Sequence, residues 1–160
     1  MTIKVGDRVP QIDFMTMTPD GPQLVKASDL WDGKTVALFA VPGAFTPTCS
    51  AKHLPGFRDH AEDLKGKGVD AIACVSVNDA FVMGAWAESQ HVGPDVKLLA
   101  DGNGEFTKAV GLEMDGSKYG MGLRSQRYSM LVKDGVVAEL NVEQPGEFKV
   151  SSAEHLLGQL

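Results

Sequence analysis

One continuous apolar segment constrains the fold of this chain more than any other feature. Residues 35–41 read TVALFAV and end at Pro42, which a glycine follows. A run without polar alternation is typical of a strand that is buried on both faces, because a strand with one wet face would alternate apolar and polar residues. The segment therefore predicts a central strand in a covered sheet.

A helical pattern follows this strand, and a second buried strand comes after it. Apolar residues recur at helical spacing from about residue 49 to residue 65, and Gly66 and Gly68 end the pattern. Pro55 predicts a kink inside this helix. Residues 69–77 form the next apolar run and predict a second strand. The order is strand, helix, strand.

Another helix is predicted directly after the second strand. Asn78 and Asp79 are candidate N-caps, because their side chains can accept hydrogen bonds from the free N–H groups of a first helical turn. The apolar face predicted for this helix consists of Phe81, Val82, Ala85 and Trp86.

The C-terminal half adds strands of both directions. Residues 96–100 predict a third strand and residues 104–110 a short helix. Residues 128–133 and 136–142 flank an Asp-Gly pair at 134–135, which is a strong signal for a hairpin turn. Parallel and antiparallel pairings are therefore expected in the same sheet.

The chain closes with a capping-box pattern. Ser151 and Glu154 have the spacing with which a serine and a glutamate satisfy the first N–H groups of a helix. With this last helix, the order of elements predicts an α/β fold with a central mixed β-sheet flanked by helices.

Length and charge limit the classes of protein to consider. The 160 residues, 43% of them hydrophobic and 22% charged, suit a single globular domain over residues 1–160. A net charge of −6 without a cluster of lysines and arginines would repel a phosphate backbone, so no nucleic-acid partner is predicted.

Membrane and compartment signals are weak. No stretch approaches about 20 consecutive apolar residues and the N-terminus lacks a signal-peptide pattern, so no membrane partner is predicted. Two cysteines, Cys49 and Cys74, are too few for a disulfide framework and suit a reducing compartment. The cytoplasm is predicted, although an organelle protein without its transit peptide would look the same.

Cys49 is the strongest candidate for chemistry. It lies where the first buried strand has turned into the first helix, so its sulfur is expected near free backbone N–H groups, which favour the thiolate. A packing role for a small apolar side chain stays open from position alone. Thr46, Pro47 and Thr48 shift the balance towards function, because they place two hydroxyls and a rigid turn before the sulfur. For either threonine alone, helix capping is the alternative role.

Residues 41–57, VPGAFTPTCSAKHLPGF, resemble the active-site segment of the peroxiredoxins of the type II, or atypical, group. Pro42, Thr46 and Cys49 match the spacing of Pro, three residues, Thr, two residues, Cys that the whole family shares. The residues between and around them are similar to those of plant type II members and their bacterial relatives.

Two further segments resemble the same group in the same order. They are residues 76–86, SVNDAFVMGAW, and residues 124–130, RSQRYSM. The similarity runs from about Val5 to Leu160. It implies a thioredoxin-like fold for the predicted α/β arrangement.

The resemblance implies a thiol peroxidase that reduces hydrogen peroxide and alkyl hydroperoxides. Cys49 would be the peroxidatic cysteine, which attacks one peroxide oxygen, becomes a sulfenic acid and releases water or an alcohol. Thr46 would supply a hydroxyl to the sulfur and the peroxide, and Pro42 would shield the pocket from bulk water. Arg127 would hold the thiolate and peroxide, because a fixed guanidinium stabilises the charge that develops on the leaving oxygen. Arg124 ranks below Arg127 for this role.

The rest of the catalytic cycle depends on the second cysteine. Cys74 lies inside the apolar run of the second strand and is interpreted as a packing residue. Some family members carry a resolving cysteine near the C-terminus, but residues 150–152 contain none. The resemblance therefore implies an external thiol, either glutathione with glutaredoxin or thioredoxin, as a co-substrate. It implies no prosthetic group, and a homodimer that packs around the active-site end.

Other functions were compared with this one. Cys49 and His53 are four residues apart and could share a helical face with His60, as a metal site or a Cys–His nucleophile pair would require. No metal is predicted, because the four histidines form no cluster with ligand spacing. A Cys-x-x-Cys exchange enzyme is excluded by Lys52. A peroxide sensor or redox relay, in which Cys49 passes its oxidation to a protein partner, stays open.

Overall fold

A computed structural model describes residues 2–160, and it shows a central seven-stranded sheet with helices on both faces. The predicted α/β fold with a mixed sheet is thus confirmed. In chain order the elements are β1 (Phe14–Thr18), β2 (Gly21–Val25), α1 (Ala27–Trp31), β3 (Thr35–Ala40), a π-helical turn (Cys49–His53), α2 (Leu54–Asp59), α3 (Ala61–Gly66), β4 (Ala71–Ser76), α4 (Ala80–Ser89), β5 (Lys97–Ala100), α5 (Glu105–Ala109), β6 (Glu113–Asp115), a 3₁₀ turn (Ser117–Tyr119), β7 (Leu123–Ser125), β8 (Tyr128–Lys133), β9 (Val136–Val142) and α6 (Ala153–Leu157).

The strand order in the sheet is β2-β1-β5-β4-β3-β8-β9. The three central strands β5, β4 and β3 are parallel, whereas β8 pairs with β3 in the antiparallel sense. Parallel neighbours need long crossover connections, and α2 with α3 and then α4 provide them. Strands β6 and β7 form a separate two-stranded sheet.

The central strands contribute side chains to two apolar clusters, one on each face of the sheet. On β3, Ala37 and Phe39 belong to the cluster that α2, α3, α4 and α6 cover. Val36 and Leu38 belong to the other cluster, which α1 and α5 cover. Successive side chains of a strand point to opposite faces, so a strand between two covered faces has to be apolar at every position.

The Asp-Gly pair forms the predicted hairpin turn between β8 and β9. Asp134 and Gly135 have φ angles of 48° and 78°, and the strand residues next to them, Lys133 and Val136, are paired. Positive φ at both central residues is characteristic of a type I′ turn, whose twist matches that of the flanking strands.

The helical segment after β3 differs from the single kinked helix that the sequence predicts. It begins with a π-helical turn and breaks at His60, which has φ −99° and ψ 13° and separates α2 from α3. The π-helical turn changes to α2 directly before Pro55. Pro55 lies in the first turn of α2, where its missing N–H costs no hydrogen bond.

The apolar face predicted for α4 is wrong at two positions. Phe81 and Ala85 are exposed, Phe81 by 67%, whereas Ala80, Met83 and Trp86 are buried. The buried residues are spaced by three, so the helix packs along the line of Met83 rather than along that of Phe81.

Two helices begin at side-chain caps. Asp79 caps α4, because its carboxylate accepts the backbone N–H of Val82 at 2.8 Å, and this prediction is confirmed. In α6 the cap is Ser152, whose hydroxyl oxygen accepts the N–H of His155 at 3.1 Å. The predicted cap, Ser151, is one residue too early and is buried instead.

Candidate active site

The pairing of β3 with β8 brings Cys49 and Arg127 together. Ala40, the last residue of β3, lies opposite Tyr128, the first residue of β8, so the loop that leaves β3 starts beside Arg127. Cys49 begins the π-helical turn after that loop and is fully buried. Nη2 of Arg127 donates a hydrogen bond to Sγ of Cys49 at 3.0 Å, across 78 residues of sequence. A guanidinium in this position stabilises a thiolate.

The Thr46 hydroxyl lies in the loop before Cys49. It donates its hydrogen to the carbonyl oxygen of Gly43 at 2.7 Å, so its own oxygen still has lone pairs to accept a hydrogen bond. The carbonyl oxygen of Thr46 accepts the N–H of Ser50 at 3.0 Å and so starts the helical turn. Phe45 has a φ of 66°, a conformation that is uncommon for an aromatic residue.

Neighbouring loops hold this segment in place. The side-chain oxygen of Asn78 accepts the N–H of Ala44 at 3.0 Å, which is its role here instead of the predicted helix cap. Arg124 donates to the carbonyl oxygens of Met121 at 2.9 Å and Val77 at 3.1 Å. Arg124 therefore links backbone segments and does not reach the sulfur.

A cavity of about 350 Å³ is lined by Thr48, the residue before Cys49, and by Arg127, whereas Cys49 itself is not among the lining residues. Pro42 and Arg127 both line it, so Arg127 contacts the cavity and Cys49 at once. The volume suits a small organic molecule. Further lining residues are Met114, Pro145 and Glu147.

His53 also belongs to this site, although the sequence offered it only as an unselected candidate for a metal site or a Cys–His nucleophile pair. Its ring is fully buried, and its Nδ1 accepts a hydrogen bond from Nη1 of Arg127 at 2.9 Å. Its Nε2 donates to the carbonyl oxygen of Ser151 at 2.9 Å. Burial, reinforced by the charge of Arg127, lowers the pKa of His53 to about 3, so the ring is neutral at physiological pH. The rings of Phe39, Phe57 and Phe148 surround it at centroid distances between 4.9 and 5.7 Å.

Glu143, at the end of β9, was missed entirely. Its side chain accepts the backbone N–H groups of Lys149, Val150 and Ser151 at 2.8 to 2.9 Å, and the Ser151 hydroxyl at 2.7 Å. Burial opposes ionisation, but these hydrogen bonds outweigh it and lower the pKa of Glu143. A charged carboxylate therefore fixes the backbone of residues 149–151. No local motif marks such a residue, because its partners lie in a later loop.

Cys74 lies in β4, on the same face of the sheet as Cys49. Both cysteines are free, and burial raises the pKa of the Cys74 thiol well above its ordinary value. Across residues 2–160, no group of three or more His, Cys, Asp or Glu side chains is arranged to hold a metal ion. His53 uses both ring nitrogens for hydrogen bonds to protein groups.

Comparisons with known proteins agree over almost the whole chain. The family model described as Redoxin matches residues 4–157. Peroxiredoxin-2E-2, chloroplastic, of Oryza sativa subsp. japonica is 56% identical over 99% of this chain and 73% of the relative. Peroxiredoxin-2B of Arabidopsis thaliana is 51% identical over 99% of this chain and 98% of the relative. The crystal structure of reduced Prx3 in complex with H₂O₂ from Vibrio vulnificus superposes with a TM-score of 0.94 and 52% identity, covering 99% of each chain.

Proposed function

This chain belongs to the peroxiredoxin family of thiol-dependent peroxidases, and we propose that Cys49 is the nucleophile with which it reduces hydroperoxides. The hydrogen bond of 3.0 Å from Arg127 to Sγ of Cys49 carries this proposal. It joins a buried sulfur to a charged donor that lines a cavity able to admit a substrate. A packing role for Cys49 would not need a half-buried guanidinium bonded to its sulfur.

The proposed first step is a two-electron oxidation of sulfur. The Cys49 thiolate attacks one peroxide oxygen, the S–O bond forms as the O–O bond breaks, and the sulfur becomes a sulfenic acid. The other oxygen leaves with the bonding electron pair and takes up a proton, which gives water or an alcohol. Hydrogen peroxide is supported as a substrate by the complex of the Vibrio vulnificus relative.

The surrounding residues have complementary roles in this step. The guanidinium of Arg127 stabilises the thiolate and the charge on the leaving oxygen. Because Thr46 gives its own hydrogen to Gly43, its oxygen is free to accept the O–H of the peroxide and orient it. Pro42, in the cavity wall, limits access of bulk water to the sulfur.

We propose that an external thiol completes the cycle. The sulfenic acid condenses with a thiol to give a mixed disulfide and water, and a second thiol then releases the Cys49 thiolate and a disulfide. Cys74 is a poor resolving partner, because it is buried within the sheet and burial keeps it protonated. Glutathione with glutaredoxin, or thioredoxin, is the proposed reductant. Peroxiredoxins need no prosthetic group, so the thiol is a co-substrate.

We also propose that the chain is a homodimer that packs at its active-site end. Phe45, Phe81 and Tyr119 expose 53%, 67% and 76% of their surface. Phe45 lies in the loop before Cys49, Phe81 in the first turn of α4 and Tyr119 in the 3₁₀ turn. Hydrogen bonds of Asn78 and Arg124 connect the backbone next to these three residues. A second copy would remove these aromatic rings from water.

The compartment is proposed from the cysteines. Two buried free thiols suit a reducing compartment such as the cytoplasm, whereas the name of the rice relative specifies the chloroplast. Among residues 2–160 there is no helix whose length and apolar character would allow it to cross a membrane.

The test compares the wild type and two variants with defined reductants. Stopped-flow fluorescence follows oxidation by hydrogen peroxide and by an alkyl hydroperoxide, since Trp86 donates a hydrogen bond of 3.0 Å to Ser50, the neighbour of Cys49. Turnover is then measured with glutathione plus glutaredoxin, or with thioredoxin. We expect Cys49→Ser to be inactive, and Cys74→Ser to oxidise and turn over like the wild type.

Each variant can contradict one part of the proposal. Peroxide consumption by Cys49→Ser at the rate of the wild type would overturn the role of Cys49. Normal oxidation of Cys74→Ser without turnover would overturn the cycle with an external thiol. Rapid oxidation of the wild type that ends in a stable mixed disulfide with one protein would indicate a redox relay instead of a peroxidase.

A further inference from the structure

The guanidinium of Arg127 forms two side-chain hydrogen bonds, one to the sulfur of Cys49 and one to the ring of His53. We propose that His53 is a positioning residue: a neutral imidazole with its proton on Nε2 that holds Arg127 against Cys49 without neutralising the guanidinium. The inference rests on the proposed role of Cys49 and adds to it a residue whose hydrogen bonds go to Arg127 and Ser151.

The two hydrogen bonds of His53 define its tautomer. The Ser151 carbonyl oxygen can only accept a hydrogen bond, so the Nε2 atom 2.9 Å away has to carry a proton. The guanidinium can only donate, so the Nδ1 atom 2.9 Å from Nη1 of Arg127 has to be bare. A doubly protonated ring would place an N–H against the N–H of Arg127. Histidine can adopt two neutral tautomers and one charged form, and the hydrogen-bond partners specify the tautomer with its proton on Nε2.

A neutral partner leaves the charge of Arg127 available to the sulfur. No ion pair among residues 2–160 involves Arg127. A carboxylate in place of the imidazole would pair with the guanidinium and compete with the thiolate for its charge. An imidazole nitrogen fixes the direction of one N–H group and carries no opposing charge. The second amino group can then point at Cys49.

Residues on the side away from Arg127 hold the imidazole ring of His53 in place. Glu143 accepts both the N–H and the hydroxyl of Ser151, so the carbonyl oxygen that binds Nε2 belongs to a fixed stretch of backbone. Three phenylalanine rings pack around the imidazole. A continuous series of contacts therefore runs from Glu143 through Ser151, His53 and Arg127 to Cys49. Such a supporting layer keeps a reacting group within the narrow limits that catalysis needs.

The first test compares His53→Asn with His53→Leu, because the two new side chains have nearly the same shape. The Asn oxygen can replace Nδ1 as the acceptor for Arg127, whereas Leu cannot. We expect His53→Leu to lower both the thiolate fraction of Cys49 at neutral pH, read from ultraviolet absorbance, and the rate constant for its oxidation, the latter by about 10-fold or more. His53→Asn should stay within about 3-fold of the wild type, since one correctly aimed donor is preserved. Equal rates and thiolate fractions in the two variants would overturn the proposal.

A control variant separates the positioning of Arg127 by His53 from a general loss of stability. Phe57→Leu alters the ring that stacks on Phe39 and contacts His53, and it leaves the hydrogen bonds of Arg127 intact. It should lower the unfolding temperature and leave the thiolate fraction unchanged. If Phe57→Leu lowered the thiolate fraction of Cys49 as much as His53→Leu does, the loss would follow stability. His53 would then act through packing alone.

The second test uses the unmodified protein. Nitrogen NMR of the imidazole should show a bare Nδ1 and a protonated Nε2 that persist over about pH 5 to 8, with the His53→Asn spectrum as the assignment. A protonated Nδ1 would overturn the proposal even if Cys49 reacts as described above. If Cys49→Ser stayed active while the tautomer was as expected, the proposed nucleophile would be wrong and the arrangement of His53 would stand.

Discussion

Three buried ionisable side chains near Cys49 differ in charge because their hydrogen-bond partners differ. Burial and the adjacent guanidinium keep His53 neutral, and burial alone accounts for most of the raised pKa of Cys74. Glu143 stays charged, because four donors from residues 149–151 replace the water that it has lost. At the scale of one residue, burial sets the penalty for a charge and the partners decide whether that charge persists.

The low pKa of His53 predicts that acid destabilises the protein. The histidine pKa is about 6.5 in an unfolded chain and about 3 in the folded protein, so the unfolded state binds more protons between these values. The free energy of unfolding should therefore fall as pH decreases through this range, by about 1.4 kcal/mol per pH unit from this group. His53→Asn should remove that component. Urea unfolding at a series of pH values measures the slope.

The matched control for this slope is His91→Asn. His91 is exposed and has a φ of 54°, a conformation that asparagine tolerates well. It should retain the slope of the wild type. An identical pH dependence in His53→Asn and the wild type would mean that His53 is not the group whose protonation is linked to unfolding.

At the scale of elements, the sequence signals were strongest in the apolar strands and at the Asp-Gly hairpin. Strands β3, β4, β5, β8 and β9 lie within one or two residues of their predicted bounds. Strand β2 was missed, since it is mostly exposed at the sheet edge and contains Pro22. Strands β6 and β7 have three residues each, too few to show a period. The break at His60 was missed because the apolar spacing continues through it.

The cap of α4 carries a prediction of its own. Asp79→Ala removes the acceptor for the N–H of Val82 and should lower the free energy of unfolding by about 1 kcal/mol. Asp79→Asn keeps an acceptor oxygen at the same place, so it should lower the free energy of unfolding by only a small part of that amount. Chemical denaturation of both variants gives the comparison. Equal losses in Ala and Asn would show that the hydrogen bond to Val82 does not stabilise the helix.

At the scale of the whole molecule, the thioredoxin-like sheet explains the position of the site. Strand β3 is central, with apolar clusters on both faces, so the loop that leaves it emerges at the end of the sheet, next to Arg127. The sulfur of Cys49 thus lies between the loop after β3 and the residue that precedes β8. The exposed residues Phe45, Phe81 and Tyr119 lie in or next to segments that hydrogen bonds connect at this end, so the proposed dimer would pack there.

The dimer proposal predicts a specific effect of Phe81→Asp. A charge in the middle of the exposed aromatic surface should weaken association by at least 10-fold, because a buried unpaired carboxylate costs more than about 1.4 kcal/mol. Sedimentation velocity over a concentration series measures the monomer fraction. Val5→Asp is the control, since Val5 is 56% exposed beside the segment that bonds to β9 through Gly6 and Val137. A monomeric wild type, or equal association of both variants, would contradict the proposed interface.

The sequence by itself determined the features that depend on near neighbours. The unbroken apolar run of β3, the turn at Pro42 and the helical turn that begins at Cys49 follow from local pattern, and so does the Asp-Gly hairpin. The resemblance alone added Arg127. The catalytic roles of Pro42, Thr46, Cys49 and Arg127 stay predictions for the tests above.

Only the tertiary structure decided how His53 and Glu143 are used. His53 is 74 residues from Arg127 and 98 residues from Ser151, so no spacing along the chain relates it to either. Its tautomer depends on a carbonyl oxygen on one side and a guanidinium on the other, and their positions follow from the pairing of β3 with β8 and the return of the chain after β9. Hydrogen-bond partners that the sheet brings together from distant segments leave no periodic signal in a sequence. The sequence therefore locates the sulfur of Cys49, and the fold shows which residues contact it and support those contacts.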